Sequence, residues 1–257
     1  MDRTINLNAD VAEGFGAYAI GDDAGVLASV ASANLACGFH GGDAVVMRRV
    51  VAMARARGVS VGAHPGFNDL WGFGRRAMEM GEADIETLVA YQIGALQGVA
   101  ALCGVRPVHV KPHGALYTMA ARRPGYAAAI GRAIKRIDPA LILVGPPGSA
   151  MARAAADLDL AYVAEGFCDR LYDDDGGLVA RDTTGAVLED AGAATRQALD
   201  LALRGRVTTR SGKEAACAVG TLCVHGDTPG AAGRAAAVRA GLEAAGVRIV
   251  TLERLAR

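Results

Sequence analysis

Short alternating segments recur along this chain and end alike, on an ionisable or amide side chain beside a glycine or proline. In residues 4–10, Ile5, Leu7 and Ala9 fall on one face of a strand and Asn6, Asn8 and Asp10 on the other. ANLACGFHGGD repeats the arrangement, with Leu35, Cys37 and Phe39 opposite Asn34, Ala36, Gly38 and His40. VSVGAH sets Ser60, Gly62 and His64 against Val59 and Val61, and VHVKPHGALY sets His109, Lys111 and His113 against Val108 and Val110. Pro112 rules out a helix there. AYVAEGF reads as a strand ending at Glu165, and in LCVHGD Leu222 and Val224 oppose Cys223, His225 and Asp227. A face of imidazole, ammonium and carboxylate groups is costly to bury unless those groups are hydrogen-bonded or used. The pattern therefore predicts an interior that is polar and ligand-facing at one end of every strand.

Helical spacing fills the intervals. Asp22 and Asp23 are placed to cap an apolar segment at 24–31. AVVMRRVVAMARARG follows Asp43, carries its basic residues toward the carboxyl end, where they favour the helix dipole, and stops at Gly58. Further helices are expected at 82–102, 124–137, 149–158, 189–203 and 230–245, with ALILVG and VRIVTL as additional strands. Strands alternating with helices predict a parallel sheet. Because the polar residues sit at the carboxyl ends, a closed or nearly closed (β/α) barrel of about seven strands fits better than an open doubly wound sheet. No linker or composition shift divides the chain, so residues 1–257 read as one barrel domain, and a hydrophobic fraction of 52% supplies one large core. In a barrel the strand ends converge. Asn8, Asp10, His40, His64, Lys111, His113, Glu165, Asp169, His225 and Asp227 would then share one pocket.

Several function classes are disfavoured. The 27 basic residues balance 27 acidic ones, which leaves no long-range field to recruit nucleic acid or anionic membrane, and 5% aromatics leave little for base stacking. No uninterrupted apolar run reaches the ~18 residues that span a bilayer. MDRTINLNAD has no apolar run behind its early charges, and the five cysteines form no C-x-x-C pair, so a reduced cytoplasm is the expected setting. Gly212-Lys213 resembles the end of a phosphate-binding loop, but Glu214 stands where Ser or Thr would hold magnesium.

The chemistry is expected from the histidines, the lysine and the acids. Asp10 with two histidines could ligate a divalent metal, although no H-x-x-x-H helix supports it, and a metal is left open. Lys111 in a barrel interior would be desolvated, lowering its pKa for proton transfer or anion stabilisation, or else would form a buried ion pair with Asp10 or Glu165. His109, deeper in its strand, reads as a structural hydrogen-bonding residue, and Cys223 as a buried free thiol. Asp173, Asp174 and Asp175 read as a solvated loop tip. Asp169 and Arg170 open that loop at the predicted mouth. Arg75 or Arg76, in a long glycine-rich loop with Trp71, could clamp a carboxylate or pair on the surface.

NLNADVAEGFG, ANLACGFHGGD, GAHPGFND with FGRRAM, HVKPHGALY, EGFCDRLY with GGLVAR, and LCVHGD together closely resemble the LamB/YcsF family, in order and over nearly the whole chain. Ala12 stands where many members carry glycine and Cys168 where many carry alanine. The resemblance implies a barrel similar to the glycoside hydrolase/deacetylase superfamily. It also implies the A component of an ATP-hydrolysing 5-oxoprolinase, opening the lactam of 5-oxoproline to L-glutamate with B and C subunits as partners and ATP as co-substrate; the alternative is a metal-dependent amide hydrolase or deacetylase of the same superfamily acting without ATP. For the lactam reaction the residue chemistry above, not the resemblance, makes Asp10, His64, Lys111, His113 and His225 the expected catalytic residues. Asn8, His40, Arg75, Glu165, Asp169, Arg170 and Asp227 are expected to bind substrate.

Overall fold

The computed structural model describes residues 3–255. β1 (Arg3–Val11) is buried from Ile5 onward on both faces, because one face meets helices and the other fills a barrel. α1 (Asp23–Leu27) leads to β2 (Ser32–Ala36), α2 (Ala44–Ala56) to β3 (Ser60–His64), and α3 (Glu82–Ala101) to β4 (His109–Val110). α4 (Gly114–Arg122) and α5 (Pro124–Ile137) precede β5 (Ile142–Gly145), and α6 (Ala150–Asp157) precedes β6 (Tyr162–Phe167). After α7 (Ala191–Leu199) and a π-helical turn at Asp200–Arg204 come β7 (Arg206–Thr208) and β8 (Glu214–Ala216), then β9 (Thr221–Cys223). α8 (Ala231–Ala244), β10 (Val247–Ile249) and α9 (Leu252–Leu255) finish the described chain.

Strands β1 to β6 pair in sequence order, all parallel, and β9 pairs with β6 on one side and β1 on the other. This closes a parallel barrel of seven strands surrounded by helices, as the repeating pattern predicts. β10 is not a wall strand. Ile5 O accepts from Val250 N and Leu7 O from Ala31 N. Carbonyls two residues apart serve the same edge of a strand, so β10 extends below β2 on that edge of β1.

Two elements depart from the sequence reading. Gly114 reads as a turn, and its φ of +54° does turn the chain, but a helix, α4, begins there and buries Leu116, Tyr117 and Ala120. The β7–β8 hairpin lies outside the barrel as a separate antiparallel pair. β4 is short because Pro112 has no N–H, yet Lys111 N donates to Ala63 O and His113 N to Pro65 O, carrying the strand's direction up to the site.

The helices cover the barrel with apolar faces, such as Ile85, Val89, Ile93 and Leu96 of α3 and Ile130 and Ile134 of α5, all fully buried. Burying each such side chain contributes roughly 1.5–3 kcal/mol. Asp43 fixes the start of α2 by accepting from Val45 N and Val46 N, worth about 1 kcal/mol. No helix among the described residues is long and apolar enough to cross a membrane.

The barrel interior is polar in layers. At the bottom Asn6 donates to Ser32 and accepts from Thr221, and Ser32 bonds Ser60. Above, Asn34 donates to Asn8 and Asp10 and accepts from His109 Nε2 at 2.7 Å. Burial depresses the His109 pKa to about 3, so the ring is neutral and its Nδ1 is a buried acceptor without a partner. Gly62 makes this layer possible: a Cβ there would stand 2.2 Å from the His109 ring. A polar core satisfied at every group but His109 Nδ1 specifies one register, since each missing partner costs about 1–3 kcal/mol.

Candidate active site

The top layer of the barrel is organised by Lys111, 2% exposed. Its Nζ donates to Asp10 Oδ1 at 3.0 Å, to Cys223 Sγ at 3.0 Å and to Asn8 Oδ1 at 3.4 Å, which uses all three ammonium protons, and lies 2.9 Å from Glu165 Oε1 as an ion pair. The Phe167 ring lies 5.2 Å away. Glu165 also accepts from Asn8 Nδ2 and from the Tyr117 hydroxyl of α4. These contacts correct the expectation of a lowered lysine pKa. Burial alone would lower it, but Asp10, Cys223 and Glu165 together hold it well above the ordinary value. Burial likewise pushes the Asp10 carboxyl up, and His64 and Lys111 override it, leaving it well below the usual carboxylate range. Burial raises the Cys223 thiol, so its sulfur acts as an acceptor for the ammonium.

A histidine group flanks Asp10. His64, at the end of β3, has Nδ1 2.7 Å from Lys111 O and Nε2 3.4 Å from Asp10 Oδ2. His113 has Nε2 2.8 Å from Phe73 O and Nδ1 2.9 Å from His64 Nε2. His40 stacks on His113 with centroids 3.6 Å apart, and its Nε2 is 3.3 Å from Glu13 Oε1. Burial, with Asp10 and Asp227 nearby, raises the Glu13 carboxyl well above its ordinary range. Donor atoms of Glu13, His40, His64 and His113 lie within 4.8 Å of one another, as do those of Asp10, Cys223 and His225, so either set could hold a metal ion.

Across the barrel, His225 follows β9. Its Nδ1 lies 2.8 Å from Asp169 Oδ1 and its main-chain N donates to Asp169 Oδ2 at 2.9 Å. A carboxylate can only accept, so Nδ1 carries a hydrogen, and in the neutral ring Nε2 is the nitrogen that can take a proton. Burial opposes ionisation of Asp169, but His225 and Arg234 of α8 bring its pKa below the ordinary value.

These groups floor a cavity of about 710 Å³ at the carboxyl ends of the strands. Arginines dominate its mouth. Arg75 from the loop after β3 and Arg181 from the loop after β6 both bind Asp227, at 2.5 and 2.8 Å. Arg170 faces the same space while its Nε and Nη2 donate to Ala186 O and Val179 O, bracing the loop. Burial lowers its pKa to about 10, so it remains a cation. Arg76 pairs with Asp69 away from the cavity.

Of the residues that the sequence marks, Asp10, His64, Lys111, His113, His225, Arg75, Arg170 and Asp227 line the cavity. Asn8, His40, Glu165 and Asp169 do not; they stand behind it and hydrogen-bond or stack on the residues that do. Glu13, Tyr117 and Arg181 line the cavity without appearing among the expected site residues. Glu13 carries a usable signal, an acid just past a strand end. It is aimed inward by Ala12, whose φ of 60° is the left-handed conformation that glycine adopts freely. Arg181 lies in a loop without periodicity, where nothing in the sequence marks it.

The sequence model of the LamB/YcsF family matches residues 5–257. A relative from Nocardia farcinica, named as the A subunit of 5-oxoprolinase, is 49% identical, over 95% of this chain and 97% of its own. The crystal structure of a lactam utilization protein from Thermus thermophilus superposes with a TM-score of 0.91 at 44% identity, covering 97% of this chain and 100% of that one. The structure of T48 deacetylase with substrate matches at a TM-score of 0.54 and 16% identity, covering 99% and 90%, which is a likeness of fold.

Proposed function

Since the chain belongs to the LamB/YcsF family, we propose that it hydrolyses the lactam of 5-oxo-L-proline to L-glutamate, as the A component of an ATP-dependent enzyme completed by B and C subunits. The observation that carries this reading is a small polar cavity with a base and an acid on its floor and surplus guanidinium at its mouth. Three arginines, Arg75, Arg170 and Arg181, line it there against two aspartates, Asp182 and Asp227, and Arg75 and Arg181 both pair with Asp227. A small cyclic amide bearing one carboxylate is complementary to both ends. Relatives named as the A subunit of 5-oxoprolinase support the substrate and the role within a complex.

In this scheme the substrate carboxylate lies on Arg181 and Arg75, with Arg170 adding positive field. His225 Nε2 takes a proton from water as the water oxygen attacks the lactam carbonyl carbon, and Asp169 holds the imidazole in the tautomer this needs. Lys111 has no N–H left for the substrate, so its contribution to the developing oxyanion is electrostatic, and it keeps Asp10 and Glu165 charged in place. ATP is proposed as co-substrate, held with a partner protein. Gly212-Lys213 lies beside the β7–β8 turn with Lys213 paired to Asp174, which does not make a phosphate loop. Residues 1–257 act in this scheme as one catalytic domain, and free, mostly buried thiols support a cytoplasmic setting.

Binding tests the carboxylate clamp directly. The wild-type chain should bind 5-oxoproline in a calorimetric titration and prefer it over 2-pyrrolidinone, which lacks the carboxylate. Arg181→Met should weaken 5-oxoproline about 10- to 100-fold, the worth of a hydrogen bond to a charged group, and leave 2-pyrrolidinone unchanged. Equal weakening of both ligands would remove Arg181 from the clamp.

A further inference from the structure

We infer that the cavity floor is a binding site for one divalent transition-metal ion of the zinc class, held by His64 Nε2, His113 Nδ1, Glu13 Oε1 and Asp10 Oδ2. The site stands on its own geometry and is independent of the lactam reading above.

Each of the two rings has one nitrogen against a main-chain carbonyl, His64 Nδ1 at 2.7 Å from Lys111 O and His113 Nε2 at 2.8 Å from Phe73 O. A carbonyl only accepts, so those nitrogens carry hydrogens, and in a neutral ring the other nitrogen is a lone pair. These inner nitrogens face each other at 2.9 Å. Lone pairs so close repel unless a cation stands between them, and an imidazole whose outer N–H is tied to a carbonyl is the arrangement that metal-binding histidines adopt. Oxygen donors stand beside them. Glu13 Oε1 lies 3.6 Å from His113 Nδ1, and Asp10 Oδ2 lies 3.4 Å from His64 Nε2. Lys111 Nζ and Asn34 Nδ2 both donate to Oδ1 of Asp10, which leaves Oδ2 to the histidine side. Donors about 2.1 Å from one ion stand about 3 to 3.5 Å apart, close to the spacing of these four atoms.

Ring orientation separates ligands from their support. The planes of His64 and His113 cross at 86°, so a single ion can lie in both. His40 is parallel to His113, with 2° between the planes and 3.6 Å between centroids, so an ion in the plane of one ring lies well out of the plane of the other, where no lone pair points. His40 instead backs the site: its Nε2, 3.3 Å from Glu13 Oε1, donates to the ligating carboxylate, and the nitrogen left without a partner is Nδ1. Asp10, Glu13, His64 and His113 line the cavity and His40 does not, so an ion on these four keeps one side open. When bound, it can polarise a carbonyl oxygen or a water entering the cavity.

The surrounding chain makes room for the rings. A Cβ at Gly74 would stand 2.7 Å from His40 Cβ and 2.9 Å from His113 Cδ2, and one at Gly66 would stand 2.7 Å from His40 Nδ1. Gln92 of α3 fixes Gly66 by bonding both its N and its O. Two imidazoles with two carboxylates suit zinc or cobalt, whereas calcium and magnesium take oxygen ligands. The second cluster, Asp10 with Cys223 and His225, is the poorer site, because Lys111 donates to the sulfur that an ion would need as a thiolate.

The test is a titration of the whole chain, freed of metal by a chelator, with cobalt(II) and then zinc(II), read by visible absorption and calorimetry. One ion per chain should bind at micromolar concentration, with cobalt d–d bands and no thiolate charge-transfer band, and zinc should displace the cobalt. His113→Gln should abolish the bands at equimolar cobalt, whereas His40→Gln should keep them and weaken binding about 10- to 100-fold. No saturable binding by the folded wild-type chain would overturn the site, as would a thiolate band, which would put the ion on Cys223. Bands kept in His113→Gln and lost in His40→Gln would overturn the ligand set. The wild-type titration is decisive even where a variant fails to fold. Glutamate release is no part of the readout, so a mixture inert on 5-oxoproline would overturn the lactam reading and leave the metal site standing.

Discussion

Replacing Lys111 with methionine is expected to abolish turnover and to lower the free energy of unfolding by about 3–5 kcal/mol, the cost of leaving buried charge without its partner. Methionine fills a similar volume, so a cavity is not the cause. Asp10 Oδ1 and Glu165 Oε1, now separated by 3.0 and 2.9 Å from one ammonium, would face each other across an apolar methyl group. The effect has a pH signature. A lysine whose pKa is raised by folding contributes stability that is fully present below its unfolded value, about 10.4, and lost as pH rises through the folded value. Asp10, depressed by folding, contributes stability present above about 3.9 and lost as pH falls through its folded value. In the variant the stranded carboxylates gain by protonation, so the deficit against wild type should shrink on moving from pH 7 to pH 5. Urea titrations at both pH values check this. A deficit under about 1 kcal/mol at pH 7 would mean that the lysine is dispensable to the layer.

Asp169→Asn is expected to reduce kcat about 10²- to 10⁴-fold with little change in KM. The carboxylate accepts two donors, His225 N and His225 Nδ1, one on each oxygen. An amide has one oxygen. Its NH2 must meet one of those donors, and the cheapest relief is for His225 to move its proton to Nε2. The nitrogen facing the cavity would then donate where the water needs an acceptor. Steady-state kinetics on the reconstituted enzyme would read this as a kcat loss. A matching rise in KM would instead place Asp169 in substrate binding.

Much of the barrel is written in local pattern. Alternation in β1, β2, β3 and β9 and apolar spacing in α2, α3 and α5 repeat a unit whose faces can be buried in few ways, and LamB/YcsF membership confirms the family resemblance. What local pattern does not carry is whatever depends on neighbours distant in sequence. β10 alternates like a wall strand, yet it sits below β2 because β9 closes the wall against β1. α4 hides behind Gly114, since a glycine with positive φ reads as a turn whether or not a helix follows. Within the site, strand ends identify residues at the cavity but do not separate those that line it from those one layer back. Asn8 and Glu165 have the same strand-end signature as Asp10 and Lys111, and only the depth of each strand in the barrel assigns them to the scaffold. The protonation of Lys111 is hidden for a similar reason. Burial is visible in a sequence, whereas the convergence of Asp10, Glu165 and Cys223 on one Nζ is a property of closure.

The most direct measurement is release of glutamate from 5-oxoproline by this chain, alone and with candidate B and C subunits, with and without ATP. Turnover is expected only in the full mixture with ATP, and is expected to be lost when Lys111→Met or Asp169→Asn replaces the wild-type chain. Absence of glutamate from every mixture of folded, associating subunits, or equal release by the Asp169→Asn chain, would contradict it.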